Sequence, residues 1–265
     1  MELDIKDRVA LVGGSSRGMG KATALAFARE GVKVTICARH EEELHQAERE
    51  VASAAGSPDR VLAVPADLSR YSDIQRVVQE TLARFGRIDI LVNNVGGPPP
   101  GGPLEVNEAQ WHLAIEQTLM ASVRMSREVA SHMKEQRWGR IINLLSTSIR
   151  EPVRNLSLST SLRMAVAGFA RMLCHELAPY NITVNNVLSG MMRTERLLSL
   201  HQTWAQQMGI GVEEELETSA QRIPMKRIGR PEEMADLILF LASERAAFIS
   251  GASIPIDGGA LQATL

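Results

Sequence analysis

The sequence has few residues of the kinds that mark secreted or membrane proteins. It contains two cysteines in 265 residues, Cys37 and Cys174, far apart in apolar stretches. This count excludes a disulfide framework and predicts buried thiols in a reducing compartment. No run approaches the roughly 18 apolar residues of a membrane-spanning helix, and residues 1–6 contain no apolar signal core. We therefore expect a soluble, cytoplasmic protein.

An excess of charge of either sign is also missing. The 29 basic and 31 acidic residues give a net charge of −2. Because such a chain lacks the basic surface that nucleic acids and anionic membranes attract, we predict neither as a partner, and no metal site. A length of 265 residues, 45% of them apolar, suffices for one large α/β domain over 1–265 without a second domain.

Short β-type runs alternate with longer helical periodicities along the whole chain. Strands are predicted at 8–12, 33–38, 60–65, 88–92, 139–145, 182–187 and 253–257. Helices are predicted at about 19–30, 41–55, 71–85, 107–136, 157–179 and 231–243. Seven strands joined by helical crossovers predict an α/β fold, a Rossmann-type doubly wound parallel seven-stranded sheet with helices on both faces.

Two segments interrupt this alternation. One is the proline loop, residues 96–103, with the sequence GGPPPGGP, and the other is the stretch 191–223. Both follow carboxyl ends of predicted strands, the edge at which open α/β sheets bind ligands. We predict a substrate wall and a substrate lid, although a stiff surface loop and an ordinary helical excursion remain alternatives. The candidate substrate contacts in the lid are His201, Trp204, Met191, Met192 and Met208, of which the methionines are equally typical of helix packing.

A glycine-rich turn follows the first predicted strand. Glycines stand at positions 13, 14, 18 and 20, and a helical pattern begins directly afterwards. Glycine lets the backbone turn sharply and approach a pyrophosphate, while the free N–H groups of a helix start bind anions. The spacing Gly14-x3-Gly18-x-Gly20 differs from the usual G-x-G-x-x-G. It predicts a nucleotide site, with a tight strand-to-helix connection as the alternative.

Landmarks in order along nearly the full length resemble the short-chain dehydrogenase/reductase family. They are Gly13-Gly14-Ser15-Ser16-Arg17-Gly18-Met19-Gly20, Asp67-Leu68, Asn93-Asn94-Val95-Gly96, Ser146, Ser189-Gly190, Thr194, Gly229-Arg230-Pro231-Glu232-Glu233, Ser250-Gly251 and Asp257-Gly258-Gly259. The resemblance implies a nicotinamide cofactor lying across a Rossmann-type domain. A general similarity to 3-oxoacyl-acyl-carrier-protein reductases implies a small-molecule carbonyl, alcohol or acyl-thioester substrate without fixing which.

The resemblance also implies the cofactor-binding residues. They are Gly14, Ser16, Arg17, Gly18, Met19 and Gly20 at the pyrophosphate, Asp67 and Leu68 at the adenine, Asn94 and Gly96 at the ribose, and Thr194 at the carboxamide or phosphate side. An acid ending the second strand would favour NAD(H), but this chain has Ile36-Cys37-Ala38-Arg39 there. Because Arg39 and Arg17 can pair with a 2′-phosphate, we expect NADP(H). Solvated turn arginines are the alternative.

The catalytic positions depart from the family pattern. Family members use a Ser ending the fifth strand, a Tyr about thirteen residues later, a Lys four further on and an Asn in the preceding helix. This chain has Ser146, Ser159, Arg163 and Thr118 at those positions. The only tyrosines cannot substitute. Tyr180 lies beyond the end of the helix that carries Ser159 and Arg163, roughly 30 Å away, and Tyr71 begins the helix after the third strand, on the adenine side. A serine is a weaker acid than tyrosine, and arginine does not relay protons but can stabilise an oxyanion.

Two hypotheses follow for the function. In the first, the chain is an atypical NADP(H)-dependent oxidoreductase in which Ser146 and Arg163 polarise the substrate oxygen and Ser159, water or a substrate group moves the proton. In the second, it binds the dinucleotide without turnover, as a sensing or partner subunit. The helices predicted at 107–136 and 157–179, which the family pairs between subunits, predict a symmetric oligomer, most simply a homotetramer.

Overall fold

The structure is a computed structural model that describes residues 2–263, apart from the side chain of Gln207. Its centre is a seven-stranded sheet in the order β3-β2-β1-β4-β5-β6-β7, with every neighbouring pair parallel. The strands are β1 (Val9–Val12), β2 (Lys33–Ala38), β3 (Val61–Pro65), β4 (Ile90–Asn93), β5 (Gly139–Ser146), β6 (Ile182–Ser189) and β7 (Ser253–Ile256). The fold class and all seven predicted strands are thereby confirmed.

Helices cover both faces of this sheet. They are α1 (Gly18–Arg29), α2 (Glu41–Ala55), α3 (Tyr71–Phe85), α4 (Glu108–Ala114), α5 (Ala121–Gln136), α6 (Ser157–Leu177), α7 (Glu195–Met208), α8 (Val212–Arg222) and α9 (Pro231–Ala242). Apolar side chains of α1, α2 and α9 fill the core on one face, and those of α3, α5 and α6 fill the core on the other. Over residues 2–263, no helix combines the length and the hydropathy needed to cross a bilayer.

The central strands are apolar at consecutive positions because both of their faces are buried. In β1 all four residues are buried, with Ala10 and Val12 on one face and Leu11 on the other. Successive side chains of a strand point to opposite faces, so a strand between two helical layers needs apolar residues throughout. The chain order reverses where β1 lies between β2 and β4, and the crevice outside the carboxyl ends of these strands is where such sheets bind ligands.

Two predicted helices differ in detail from the structure. The single helix expected over 107–136 is instead α4, a π-helical turn at Ile115–Met120, and α5. A π turn closes its hydrogen bonds over one more residue than an α turn, and apolar periodicity is similar on either side of it. The helix expected over 157–179 ends at Leu177, because Pro179 enters a short 3₁₀ turn at 178–180.

Charged residues at the amino edge of the sheet are paired. Asp89, fully buried before β4, accepts hydrogen bonds from the backbone N of Val9 (2.9 Å) and from Arg8 (3.2 Å). Arg140 of β5, also fully buried, lies 3.3 Å from Glu244 and stacks over the ring of Trp138. This edge, opposite the predicted ligand crevice, therefore carries a structural network that ties β1, β4 and β5 together.

Candidate active site

The glycine turn between β1 and α1 forms an open backbone cradle. Gly14 and Gly18 have positive φ angles of 54° and 55°, and a Cβ on Gly20 would stand 2.3 Å from the Gly14 carbonyl oxygen. The Ser15 hydroxyl donates to the Val12 carbonyl (2.7 Å) and accepts from the Cys37 backbone N (2.9 Å). Glycine is therefore required on sterics, and the turn is fixed to the end of β2 beside the first N–H groups of α1.

A cavity opens beside this turn at the carboxyl ends of β1, β2, β3 and β4. The predicted cofactor residues that line it are Gly14, Ser16, Arg17, Arg39, Asp67, Leu68, Asn94 and Gly96. The Asn94 side-chain amide donates to the carbonyls of Gly13 (3.1 Å) and Gly14 (3.0 Å). The loop after β4 is thus joined to the glycine turn, and the cavity has a continuous floor.

The other predicted cofactor residues lie next to this cavity rather than in its lining. A Cβ on Gly18 would be 3.4 Å from Cγ2 of Thr194, so the two segments face each other. Thr194 caps α7, with its hydroxyl accepting from the Leu197 backbone N (3.2 Å). Gly20 lies beneath Gly14, and the side chain of Met19 packs partly against the core, which leaves only its backbone for an anion.

The charges around the cavity include one acid that the sequence analysis missed. Glu43, in the first turn of α2, lies 3.5 Å from Arg17 and shares the lining with Arg39 and His40. Arg17, Arg39 and Glu43 are all exposed, so solvent screens the pair and either partner can turn to a ligand. The sequence signal for this acid was the acidic run at 41–43, which begins shortly after the end of β2.

The four predicted catalytic residues come from β5, α6 and the π turn, which pack against one another. Arg163 Nη1 donates to the Ser159 hydroxyl oxygen (2.8 Å), one turn earlier on α6. Ser146 ends β5, and its hydroxyl accepts from the Ser148 backbone N (3.2 Å). Thr118 lies in the π turn with a buried hydroxyl that has no hydrogen-bond partner among residues 2–263. The site thus offers a serine already bonded to a cation.

Arg163 has no negatively charged partner among the residues that the structure describes. Its pKa is lowered to about 10, mainly by burial, and the nearby charge of Arg196 contributes to the same shift. Arg196 extends from α7 and donates to the Pro98 carbonyl (3.0 Å) in the proline loop. Within the described part of the chain, no carboxylate oxygen lies within 4.0 Å of either guanidinium, and no cluster of three metal-ligating side chains occurs. At pH 7 both side chains stay charged.

The two tyrosines are engaged elsewhere. The Tyr71 hydroxyl donates to Glu128 (2.5 Å) on the outside of α3, and this bond raises the pKa of the phenol. Tyr180 follows α6, and Lys134 lies over its ring. Both are held by residues of α5, and neither is bonded to Ser159 or Arg163, so no tyrosine stands in for the missing acid.

The lid prediction needs a correction at His201. Residues 191–223 form α7 and α8, and His201 is fully buried between them with its Nδ1 hydrogen-bonded to Glu215. The Trp204 ring packs edge-on against His201, and Met192 is in the core. His201 therefore holds the two helices together and does not face a substrate, because it is fully buried and bonded to Glu215. Arg196, which no sequence pattern singled out, is the residue of α7 that reaches the crevice loops.

Comparison with known proteins places the chain in a family. A family model described as enoyl-(acyl carrier protein) reductase matches residues 14–260. The chain belongs to the short-chain dehydrogenase/reductase family. It is 34% identical over 257 residues to the (2S)-[(R)-hydroxy(phenyl)methyl]succinyl-CoA dehydrogenase subunit BbsD of Thauera aromatica, covering 97% of this chain and 98% of that protein. The resemblance seen in the sequence is confirmed, and with it the oxidoreductase class.

Further short-chain dehydrogenase/reductases support the same placement. The NADPH-dependent reductase BacG of Bacillus subtilis is 31% identical over 256 residues, covering 96% of this chain and 98% of BacG. Among solved structures, L-sorbose reductase from Gluconobacter frateurii, complexed with NADPH and L-sorbose, matches with a TM-score of 0.94 at 31% identity. That match covers 99% of this chain and all of the reductase.

Proposed function

We propose that this protein is an NADP(H)-dependent oxidoreductase that transfers a hydride between the nicotinamide and a carbonyl or alcohol substrate. Family membership supports the reaction class, and two relatives are by their names tied to NADPH. The cavity supports the cofactor form, since Arg17 and Arg39 line it and no acid ends β2. Charged hydrogen bonds from planar guanidinium groups suit a phosphate on the adenosine ribose.

The glycine cradle fits the rest of the dinucleotide. The N–H groups at the start of α1 would hold the pyrophosphate, Asp67 and Leu68 would flank the adenine, and Thr194 would face the cradle from the start of α7. When bound, the cofactor supplies or accepts the hydride. The two segments 96–103 and 191–223 would then enclose the substrate, as wall and lid.

The Ser159–Arg163 hydrogen bond carries the catalytic part of the proposal. Because Arg163 donates to the Ser159 oxygen, the serine O–H is left to donate to a substrate oxygen. Ser146 and Arg163 stabilise the negative charge that develops on that oxygen when the carbon gains the hydride. The oxygen gains one proton, through Ser159 or directly from water or a substrate group, and Arg163 remains protonated throughout. Thr118 would orient a polar group beside them.

A second candidate function is dinucleotide binding without turnover, as a sensing or partner subunit. The observation that favours it is the absence of tyrosine from the site. General acid catalysis contributes roughly 10²- to 10⁴-fold, so its loss could leave binding as the only activity. One relative is, by its name, a dehydrogenase subunit.

We also propose a homotetramer located in the cytoplasm and acting on a small carbonyl, alcohol or acyl-thioester substrate. Two separate apolar surfaces support the assembly. Met164 and Met172 are exposed along one stripe of α6, and Phe248 is fully exposed next to the edge strand β7. Two distinct self-complementary patches generate a closed tetramer. The free, buried Cys37 and Cys174 suit a reducing compartment.

Turnover assays separate the two functions. NADPH oxidation would be followed over a panel of ketones and acyl thioesters, with NADPH affinity measured by calorimetry on each variant. We expect reduction of at least one compound, and Arg163→Gln should lower turnover roughly 10²-fold, the scale of one lost oxyanion donor. NADPH affinity should stay within a few fold. Arg222→Gln, which changes an exposed arginine of α8, is the control.

Two results would favour the binding function instead. One is tight NADPH binding with no oxidation across the panel. The other is a Ser159→Tyr, Arg163→Lys variant that gains carbonyl reduction while Ser146→Ala leaves the protein's behaviour unchanged. A loss in Arg163→Gln confined to NADPH affinity would mean that this cation only holds the cofactor.

A further inference from the structure

Arg163, which is partly buried, and Arg196, which is exposed on α7, differ from the charged groups at the opposite edge of the sheet. At the amino edge of the sheet, the buried Asp89 and Arg140 each have a partner of opposite charge. At the carboxyl edge, neither Arg163 nor Arg196 has an acidic partner among residues 2–263. A charge taken out of water is costly unless paired, so the uncompensated Arg163 is expected to have a ligand of opposite charge, toward which the exposed Arg196 can turn.

The proline loop contacts Arg196 near its start and, near its end, the beginning of the helix that carries Arg163. Arg196 donates to Pro98 at the start of the loop and lies flat against Gly97, where a Cβ would be 3.7 Å from Nη2. Further along, the Gly101 backbone N donates to the Asn155 carbonyl (2.7 Å), and the Ser157 backbone N donates to the Gly101 carbonyl (3.3 Å). Ser157 begins α6, which carries Arg163 two turns later. The loop therefore links both cations to one crevice wall.

The hydrogen-bond donors of Arg163 are not all satisfied. Nη1 is used on Ser159, whereas Nε is shielded from solvent and has no partner in the described part of the chain. The Nε–Nη2 edge of a guanidinium offers two parallel N–H groups that match the two oxygens of a carboxylate. Arg196 has only Nη2 engaged, so its other donors can reach the same ligand.

We propose that the substrate is an oxo or hydroxy acid whose carboxylate binds between Arg163 and Arg196. This assignment rests on the proposed oxidoreductase function and adds the chemical class of the substrate. The carboxylate would place the neighbouring carbon–oxygen group beside Ser146 and Ser159. Arg196 becomes a specificity-determining residue, because it contacts the substrate from the lid side while bonded to the loop on the wall side.

The phosphates of a dinucleotide would not neutralise Arg163. They would lie at the glycine cradle and beside Arg17 and Arg39, which follow β1 and β2. Arg163 follows β5, on the other side of β1 and β4 in the sheet. Ribose hydroxyls near Arg163 would accept hydrogen bonds but carry no charge. A substrate anion therefore remains the group that fits.

Calorimetry on the NADPH-saturated protein tests the assignment. The probes are the hydroxy acids lactate, 3-hydroxybutanoate and mandelate, each against its own primary amide, together with inorganic phosphate. We expect at least one acid to bind tenfold or more tightly than its amide. Arg163→Gln and Arg196→Gln should each reduce that preference to twofold or less, with NADPH affinity kept within a few fold. Arg222→Gln, exposed in α8, should keep the preference.

Three results would overturn the proposal. These are no acid preferred over its amide, a preference that survives in both arginine variants, and phosphate binding that removes the acids from the site. Intact NADPH binding together with any of them would leave the oxidoreductase function in place. Absent NADPH binding by the wild-type protein would instead remove the proposed function itself.

Discussion

Glu43 affects the preference between NADP(H) and NAD(H). Its carboxylate lies in the first turn of α2, 3.5 Å from Arg17, at the point where the adenosine ribose of a dinucleotide would lie. A 2′-phosphate there would be attracted by Arg17 and Arg39 and repelled by Glu43. A 2′-hydroxyl could instead donate to Glu43. Since Glu43 and both arginines are exposed, solvent screens each interaction. Two positive charges against one negative charge leave a net attraction for the 2′-phosphate.

Substitution of Glu43 gives a prediction at this scale. The wild-type protein should bind NADPH more tightly than NADH, by about 1.5–3 kcal/mol for charged hydrogen bonds. Glu43→Gln should tighten NADPH binding about threefold at low salt, because a like charge is removed, and should leave NADH nearly unchanged. Fluorescence titration measures both. Glu42→Gln, in the same exposed turn, is the control, and a tenfold loss of NADH affinity in Glu43→Gln would assign the site to NAD(H).

At the scale of elements, the α7–α8 pair behaves as one unit. His201 and Glu215 are buried between the two helices, and the Ser219 hydroxyl donates to the other carboxylate oxygen of Glu215 (2.9 Å). These bonds pin α8 to α7, while Arg196 attaches α7 to the proline loop. The segment therefore has its own polar core, which explains why its histidine is not available to a substrate.

Removal of the Glu215 carboxylate should loosen this unit alone. Glu215→Ala leaves buried polar groups of His201 and Ser219 unsatisfied, which costs about 1–3 kcal/mol and should speed opening about tenfold or more. Hydrogen exchange should show faster amide exchange in α7 and α8 with β4 and β5 unchanged. The exposed Glu214→Ala serves as control. Equal protection of α7 and α8 in both variants would contradict the assigned role.

At the scale of the whole molecule, charged groups with partners and charged groups without them lie at opposite edges of the sheet. The amino edge of the sheet carries matched charges, and the carboxyl edge carries the glycine cradle, the cavity and two unmatched cations. Exposed apolar side chains include those on the outer stripe of α6 and next to β7. An enzyme of this architecture can therefore assemble through α6 and β7 while its ligand edge stays open.

The proposed tetramer follows from those two patches. Light scattering at micromolar concentration should give four times the 29.0 kDa chain mass. Met172→Glu should break one interface and Phe248→Glu the other, each giving dimers, because a charge placed in an apolar interface is not compensated. Glu217→Lys, a charge change on exposed α8, should leave the tetramer intact. A wild-type monomer would exclude this assembly.

Much of this architecture is predictable because the signals are local. Apolar runs of period two and helical stripes fixed all seven strands within a few residues, and the glycine spacing predicted the cradle that Gly14, Gly18 and Gly20 form. The π turn around Thr118 was not predictable, since it changes hydrogen bonding and leaves the apolar pattern nearly unchanged. The roles assigned to Ser146, Ser159 and Arg163 remain predictions.

The sequence by itself determined the fold class, the position of the cofactor crevice and the replacement of tyrosine and lysine by Ser159 and Arg163. Residue types and short spacings suffice for these, because each depends on neighbours within a turn or a strand. The tertiary structure decided which charged groups have partners. Arg196 and Pro98 are 98 residues apart, and Arg17 and Glu43 lie on different helices. Such contacts depend on how α7, α2 and the loops pack, and no local pattern encodes that packing.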